Sequence, residues 1–175
     1  ADVIEYISKK IKLDIYLMSH SNGFPIPPEK FKLTHGRDYK IAKQLKKVID
    51  KRSDISNVQL IKGVYNPWET KAILGKFDMV ISGRIHAAVG AMSQRIPTVI
   101  MNYGHEPKAH KLLGFTKEIG MDHYLVDPSD REILINKIKE CYENKEKIKN
   151  ILNQNLINVI KKSRKNFTIL KSLFN

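Results

Sequence analysis

The sequence predicts a three-layer α/β domain, with helices on both faces of a parallel sheet of about five strands. Three observations predict it. Strand-like and helix-like segments alternate along the chain. Two short apolar runs, residues 77–81 and 97–101, flank a helix of small residues, as strands buried on both faces of a sheet require. The composition is ordinary for a globular protein, 42% apolar and 28% charged, and 175 residues suit one domain.

The elements follow in order. Residues 3–10 read as the end of a helix, with Val3, Ile4, Ile7 and Ile11 at helical spacing. Residues 13–18 read as a strand carrying the β-formers Ile15 and Tyr16. A long loop, 19–37, holds Gly23, Pro25, Pro27, Pro28 and Gly36; loops of this length inside compact domains usually serve function. Residues 38–52 form a helix with Ile41, Leu45, Val48 and Ile49 on one face. A short strand at 58–61 precedes a short helix at 67–75, with Asn66 as cap and Pro67 in its first position.

The clearest unit comes next. Residues 77–81 are a strand, Ser82-Gly83 a turn, 84–94 a helix and 97–101 a second strand, together a β-α-β unit. A short helix is expected at 110–113 and a last strand at 124–126. Asp127-Pro128 then reads as the cap and first position of a helix running through Leu134, Ile138 and Cys141. A final helix carries Ile148, Leu152, Leu156, Val159, Ile160, Phe167, Leu170 and Phe174 on an apolar stripe. No strand follows it, so part of the stripe is expected to cover this sheet and part a neighbour. The whole reads as a single Rossmann-like domain over residues 1–175.

The chain carries 31 Lys and Arg against 18 Asp and Glu, a net charge of +13. A balance this basic points to an anionic partner. Residues 131–175 alone hold 11 basic and 4 acidic side chains. No zinc-finger spacing or RNA-recognition signature is present, so nucleic acid is not the expected partner. The single cysteine, Cys141, excludes a disulfide framework, and no His or Cys spacing predicts a metal site; no cofactor is expected. With no readable signal peptide or membrane-spanning run, a cytoplasmic protein is expected, with peripheral association at the inner face of the membrane.

Ligands of open parallel sheets sit beyond the carboxyl ends of the strands. The residues there are His20 after the first strand, Gly63 to Asn66 after the second, Ser82-Gly83-Arg84-Ile85-His86 after the third, and Asn102-Tyr103-Gly104-His105 after the fourth. The third set is the most informative. Gly83 lets the backbone turn and approach a ligand. The helix start beyond it offers free N–H groups and a partial positive charge. Arg84 adds a planar fork matched to carboxylate or phosphate. The competing reading pairs Arg84 with a carboxylate such as Asp78 and makes His86 an interior histidine.

Segment 77–103 resembles the C-terminal half of polysaccharide pyruvyl transferases. The resemblance rests on a strand, then Gly83-Arg84-Ile85-His86, a small-residue helix, and a Pro97-led strand ending in Tyr103. It extends over about residues 13–145, through His20, Arg37-Asp38-Tyr39 and Asp127-Pro128. One departure is the Lys that the family often has three residues after the motif Tyr: here that position is Glu106, and Lys108 lies two further on.

The resemblance implies the C-terminal domain of a GT-B-like two-domain transferase whose N-terminal half is absent here, so the isolated domain is expected to be inactive. It implies transfer of the enolpyruvyl carbons of phosphoenolpyruvate onto a sugar or lipid-linked saccharide, giving a pyruvate ketal in cell-surface polysaccharide. Arg84 and His86 would be the catalytic pair. Ser82, Gly83, Asn102, Tyr103, Gly104, Lys108, His20, His35 and Arg37 would bind substrate, with His35 and Arg37 closing from the long loop. Two other functions fit the same fold: the C-terminal domain of a nucleotide-sugar glycosyltransferase, and a non-catalytic anion-binding module.

Overall fold

The computed structural model describes residues 1–52, 54–102 and 109–173. They form a mixed α/β protein with parallel sheets, divided into two compact units, residues 1–72 and 73–175.

In the first unit, α1 (Asp2–Tyr6) runs into one wide π-helical turn, Ile7–Ile11, and stops at Lys12 in the left-handed conformation. Strand β1 (Ile15–Leu17) pairs in parallel with β4 (Val58–Leu60), Ile15 opposite Val58. Between them lies α2 (Arg37–Asp50). Ile49, Ile55 and Val58 form the buried centre, with Ile4, Ile15, Leu17 and Leu45 packed around it. Not all of the expected apolar face of α2 is covered: Ile41 and Val48 stay exposed. Asn57 ties this unit together, accepting from the Ser8 hydroxyl and donating to the Leu13 carbonyl.

The expected 19–37 loop is partly ordered. Its arms pair as an antiparallel ribbon, β2 (Asn22–Gly23) with β3 (Thr34–His35). At its base the Ser21 hydroxyl accepts the Asp38 N–H at 3.1 Å, and the Gly36 N–H reaches the Ser21 carbonyl at 3.0 Å. Ser21 thus supplies the cap that Gly36, the residue preceding α2, cannot. A Cβ at position 36 would overlap the Ser21 backbone, so this close approach needs glycine. Helix α3 (Pro67–Leu74) opens as expected. The Asn66 side chain accepts from Trp68 and Glu69, both at 2.9 Å, and Glu69 reaches back to the Asn66 N–H, a reciprocal capping box.

In the second unit, β5 (Val80–Ser82), β6 (Thr98–Met101) and β7 (Leu125–Val126) form a parallel sheet in that order, with Ser82 opposite Ile100 and Met101 opposite Val126. Helix α4 (Ile85–Ser93) joins β5 to β6 and buries Ala87, Ala88, Ala91 and Met92. Small residues there let the helix approach the strands closely. All five expected parallel strands are therefore present, with their ladders in two sets, β1–β4 and β5–β6–β7.

Helix α5 (Ala109–Ile119) is longer than the expected turn at 110–113. Gly114 does not end it, because Leu112, Thr116 and Ile119 keep one face buried across that position. It stops instead at Gly120, φ +72°, where Gly120 and Met121 donate back to the Lys117 and Thr116 carbonyls. The following helix also differs in its start. Asp127 accepts from the Ser129 backbone and hydroxyl, and Asp130 caps α6 (Arg131–Glu143) through Ile133 N–H at 2.9 Å. Asp127-Pro128 therefore makes a turn before the helix rather than its first position. Helix α7 (Lys145–Ser172) lays Ile148, Leu152 and Leu156 into the core, while Ile160, Phe167, Leu170 and Leu173 beyond them are exposed.

Candidate functional site

The carboxyl edge of the β5–β6–β7 sheet gathers Ser82, Gly83, Arg84 and Asn102. Ser82 ends β5 and is buried. Its hydroxyl accepts the Arg84 N–H at 3.0 Å and donates to the Arg84 carbonyl at 3.2 Å, fixing the turn that aims the chain into α4. Arg84 itself sits in the N-cap position in extended conformation, and no side chain caps the helix.

That placement is informative. Helix N-caps favour Ser, Thr, Asp or Asn, whose oxygens accept first-turn N–H groups. A guanidinium has only donors, and its charge repels the positive end of the helix dipole. Arg84 is thus a poor choice for stability, and it leaves the first-turn N–H groups of α4 without a side-chain acceptor. Both Arg84 and His86 are exposed, while Ala87 and Ala88 beside them are buried. His86 is not the interior histidine of the competing reading. Nor does Asp78 stand ready for Arg84 alone: its carboxylate binds the Lys145 ammonium at 2.8 Å, a bond that holds the Asp78 carboxyl below the usual range.

Asn102 follows β6 directly. Its backbone N–H bonds the Val126 carbonyl at 2.7 Å, extending the ladder one step past the strand. Its side-chain oxygen is buried and has no hydrogen-bond partner among the described residues. A buried acceptor left unmatched costs stability, so one at a sheet's ligand edge is a place where a donor group can be received. Tyr103, Gly104 and Lys108 lie outside the described residues.

The first unit carries His20, His35 and Arg37. His20, just beyond β1, is half-buried. His35 stacks on Tyr39, ring centroids 3.5 Å apart and planes within 9°. His35, Gly36, Arg37, Lys40 and Ile41 line one open cleft of about 440 Å³ at the start of α2. Lys40 was not singled out from sequence, and Tyr39 entered only as part of the Arg37-Asp38-Tyr39 resemblance. The four-residue step from His35 to Tyr39 and the short step from Arg37 to Lys40 carried that signal, because α2 begins at Arg37 rather than one residue later.

Three ionisable groups elsewhere are shifted by their surroundings. Burial pushes the Cys141 thiol and the Tyr124 hydroxyl each up to about 12. Lys137 first, then His123, hold the Glu140 carboxyl below its usual value. Among the described residues no group of three His, Cys, Asp or Glu side chains is placed to hold a metal ion. Nor, among them, is any helix long and apolar enough to cross a membrane.

No curated protein and no solved structure matches the chain. A family model described as polysaccharide pyruvyl transferase matches residues 4–105, from α1 past β6, which takes in both the Arg84–His86 edge and the cleft at α2. The match covers more than half of the sequence, and the chain belongs to the polysaccharide pyruvyl transferase family.

Proposed function

We propose that this chain binds phosphoenolpyruvate and transfers its three-carbon unit to two hydroxyls of a saccharide. In that reaction one hydroxyl adds to C2 of the donor, and the methylene carbon takes a proton to become the methyl group. Phosphate leaves from C2, and the second hydroxyl closes the cyclic ketal. The donor is a small dianion or trianion, and the product keeps its carboxylate.

The observation that carries this reading is the cation at the N-cap of α4. Arg84 and the uncapped first-turn N–H groups form a donor-only surface suited to a carboxylate or phosphate. His86, exposed in the same first turn, is of the right type to pass a proton to the methylene carbon or take one from a hydroxyl near neutral pH. Asn102 offers an unmatched acceptor for a sugar hydroxyl. Ser82 and Gly83 shape the turn, and Tyr103, Gly104 and Lys108 would complete the edge. His20, His35 and Arg37 of the first unit are assigned to substrate, His35 and Arg37 sharing one basic cleft with Lys40.

In this reading the chain is the C-terminal half of a GT-B-like two-domain enzyme of cell-surface polysaccharide synthesis, completed by its own N-terminal half. The acceptor is a sugar or a lipid-linked saccharide, met in the cytoplasm or at the inner face of the membrane.

Isothermal calorimetry with phosphoenolpyruvate, set beside nucleoside diphosphates, tests the donor. Saturable binding of phosphoenolpyruvate that Arg84→Ala abolishes is expected. Preferential binding of a nucleoside diphosphate would instead make the protein a nucleotide-sugar transferase.

A further inference from the structure

A second basic surface lies away from the sheet edge. The end of α5 and the outer side of α7 enclose an open groove of about 360 Å³ lined by Lys117, Glu118, Asn158, Lys161, Lys162 and Lys165. Glu118 is the one acid among its described lining residues, and it binds Lys162 at 2.6 Å. The groove therefore keeps the uncompensated charge of Lys117, Lys161 and Lys165. No acidic residue occurs after Glu146, so nothing further along α7 offsets it.

The helix geometry sets what can reach this surface. Ile148, Leu152 and Leu156 point into the core. At 100° per residue, Lys161 and Lys165 lie roughly 140–180° around the helix from the mean direction of those three. They lie on the solvent half of α7, at the open side of the groove, where a flat partner reaches them together with Lys117 of α5. On the same solvent half stand two large apolar side chains, Ile157 and Ile169, 61% and 59% exposed.

We infer that this face docks on an anionic lipid surface, lysines to the phosphates and the two isoleucines into the headgroup layer. Lysine is a point charge on a flexible stem and suits scattered phosphates better than planar, bidentate recognition. Exposed isoleucines among lysines gain free energy only where an apolar layer lies beneath the charge, as at a bilayer. A nucleic acid would give them nothing to enter. The inference is independent of the transferase reading.

Vesicle sedimentation tests it with the intact chain. Binding is expected to vesicles of phosphatidylcholine mixed with phosphatidylglycerol, to weaken with added salt, and to be absent with phosphatidylcholine alone. Replacing Lys117, Lys161 and Lys165 by Gln together should lower partitioning on the order of 100-fold, about fivefold per lysine. A control with Lys43→Gln, Lys47→Gln and Lys51→Gln removes equal charge from the exposed side of α2 and should change it less than about threefold. Ile157→Ser with Ile169→Ser should weaken binding while leaving its salt dependence unchanged. The Glu118–Lys162 pair is left intact in every variant, and circular dichroism checks the fold of each. Equal losses in the two lysine triples would overturn the proposal, as would indifference to phosphatidylglycerol. Tight binding of single-stranded RNA or inorganic diphosphate by a chain that ignores vesicles would overturn it as well.

Discussion

The Ser82 hydroxyl accepts the backbone N–H of Arg84 at 3.0 Å, so a buried side chain at the end of β5 fixes an exposed guanidinium at the start of α4. Without that bond the turn through Gly83 would be free to swing. Ser82→Ala is expected to cost about 1 kcal/mol of stability. It should also weaken phosphoenolpyruvate binding, because the Arg84 main chain is no longer held. Urea unfolding and calorimetry on the same variant read both effects.

Arg84 sets stability against activity. Arg84→Ser supplies the missing cap and removes a cation from the positive end of the helix dipole. It should raise stability by about 1 kcal/mol. Pyruvyl transfer by the complete enzyme should meanwhile fall by two orders of magnitude or more. A variant that is both less stable and fully active would contradict the role given to this residue.

His86 is expected to act on protons, so His86→Ala should lower kcat about 10²–10⁴-fold with a smaller change in KM for the donor. Because the side chain is exposed, the melting temperature should stay nearly constant. A loss confined to KM would make it a binding residue only.

The unmatched oxygen of Asn102 gives a further prediction. Asn102→Ala removes a buried acceptor that has no partner among the described residues, and such an atom costs about 1–3 kcal/mol. The variant should be at least as stable as the parent in thermal unfolding, yet bind the saccharide acceptor less well.

Two ionisable groups report on stability. The Cys141 thiol is buried and raised to about 12, so it stays protonated at pH 8. Labelling by a thiol reagent should follow unfolding and not local exposure. Glu140 works in the opposite sense: Lys137 and His123 lower its carboxyl, so its contribution is present above the unfolded value near 4.3 and is lost as pH falls through the lower folded value. Glu140→Gln should therefore flatten the acid limb of the stability curve, by a few tenths of a kcal/mol for so exposed a pair.

Gly120 can be tested through its backbone. Its φ of +72° and the Asn155 amide, 2.6 Å from where a Cβ would stand, leave no room for a side chain. Gly120→Ala should cost about 1 kcal/mol or more in urea unfolding.

Much of this protein was legible in the amino-acid order. The apolar runs around Val80 and Val99 with small residues between them define a β-α-β unit, because only that pattern buries both faces of a strand and brings a helix close. Asn66 with Glu69 announces its cap, since the bonds involved span three residues. Gly83-Arg84-Ile85-His86 announces the turn at the carboxyl end of β5 for the same reason: its bonds lie within one turn of chain. Bonds between distant residues were decided only by the tertiary structure. Ser21 caps α2 from across a ribbon, Lys145 takes up Asp78, and burial of Leu112 and Ile119 carries α5 through Gly114. The division of the α7 stripe at Leu156 is of this kind too. The sequence repeats the same apolar spacing on either side of that residue, and only the extent of the packed surface beneath the helix determines where burial ends.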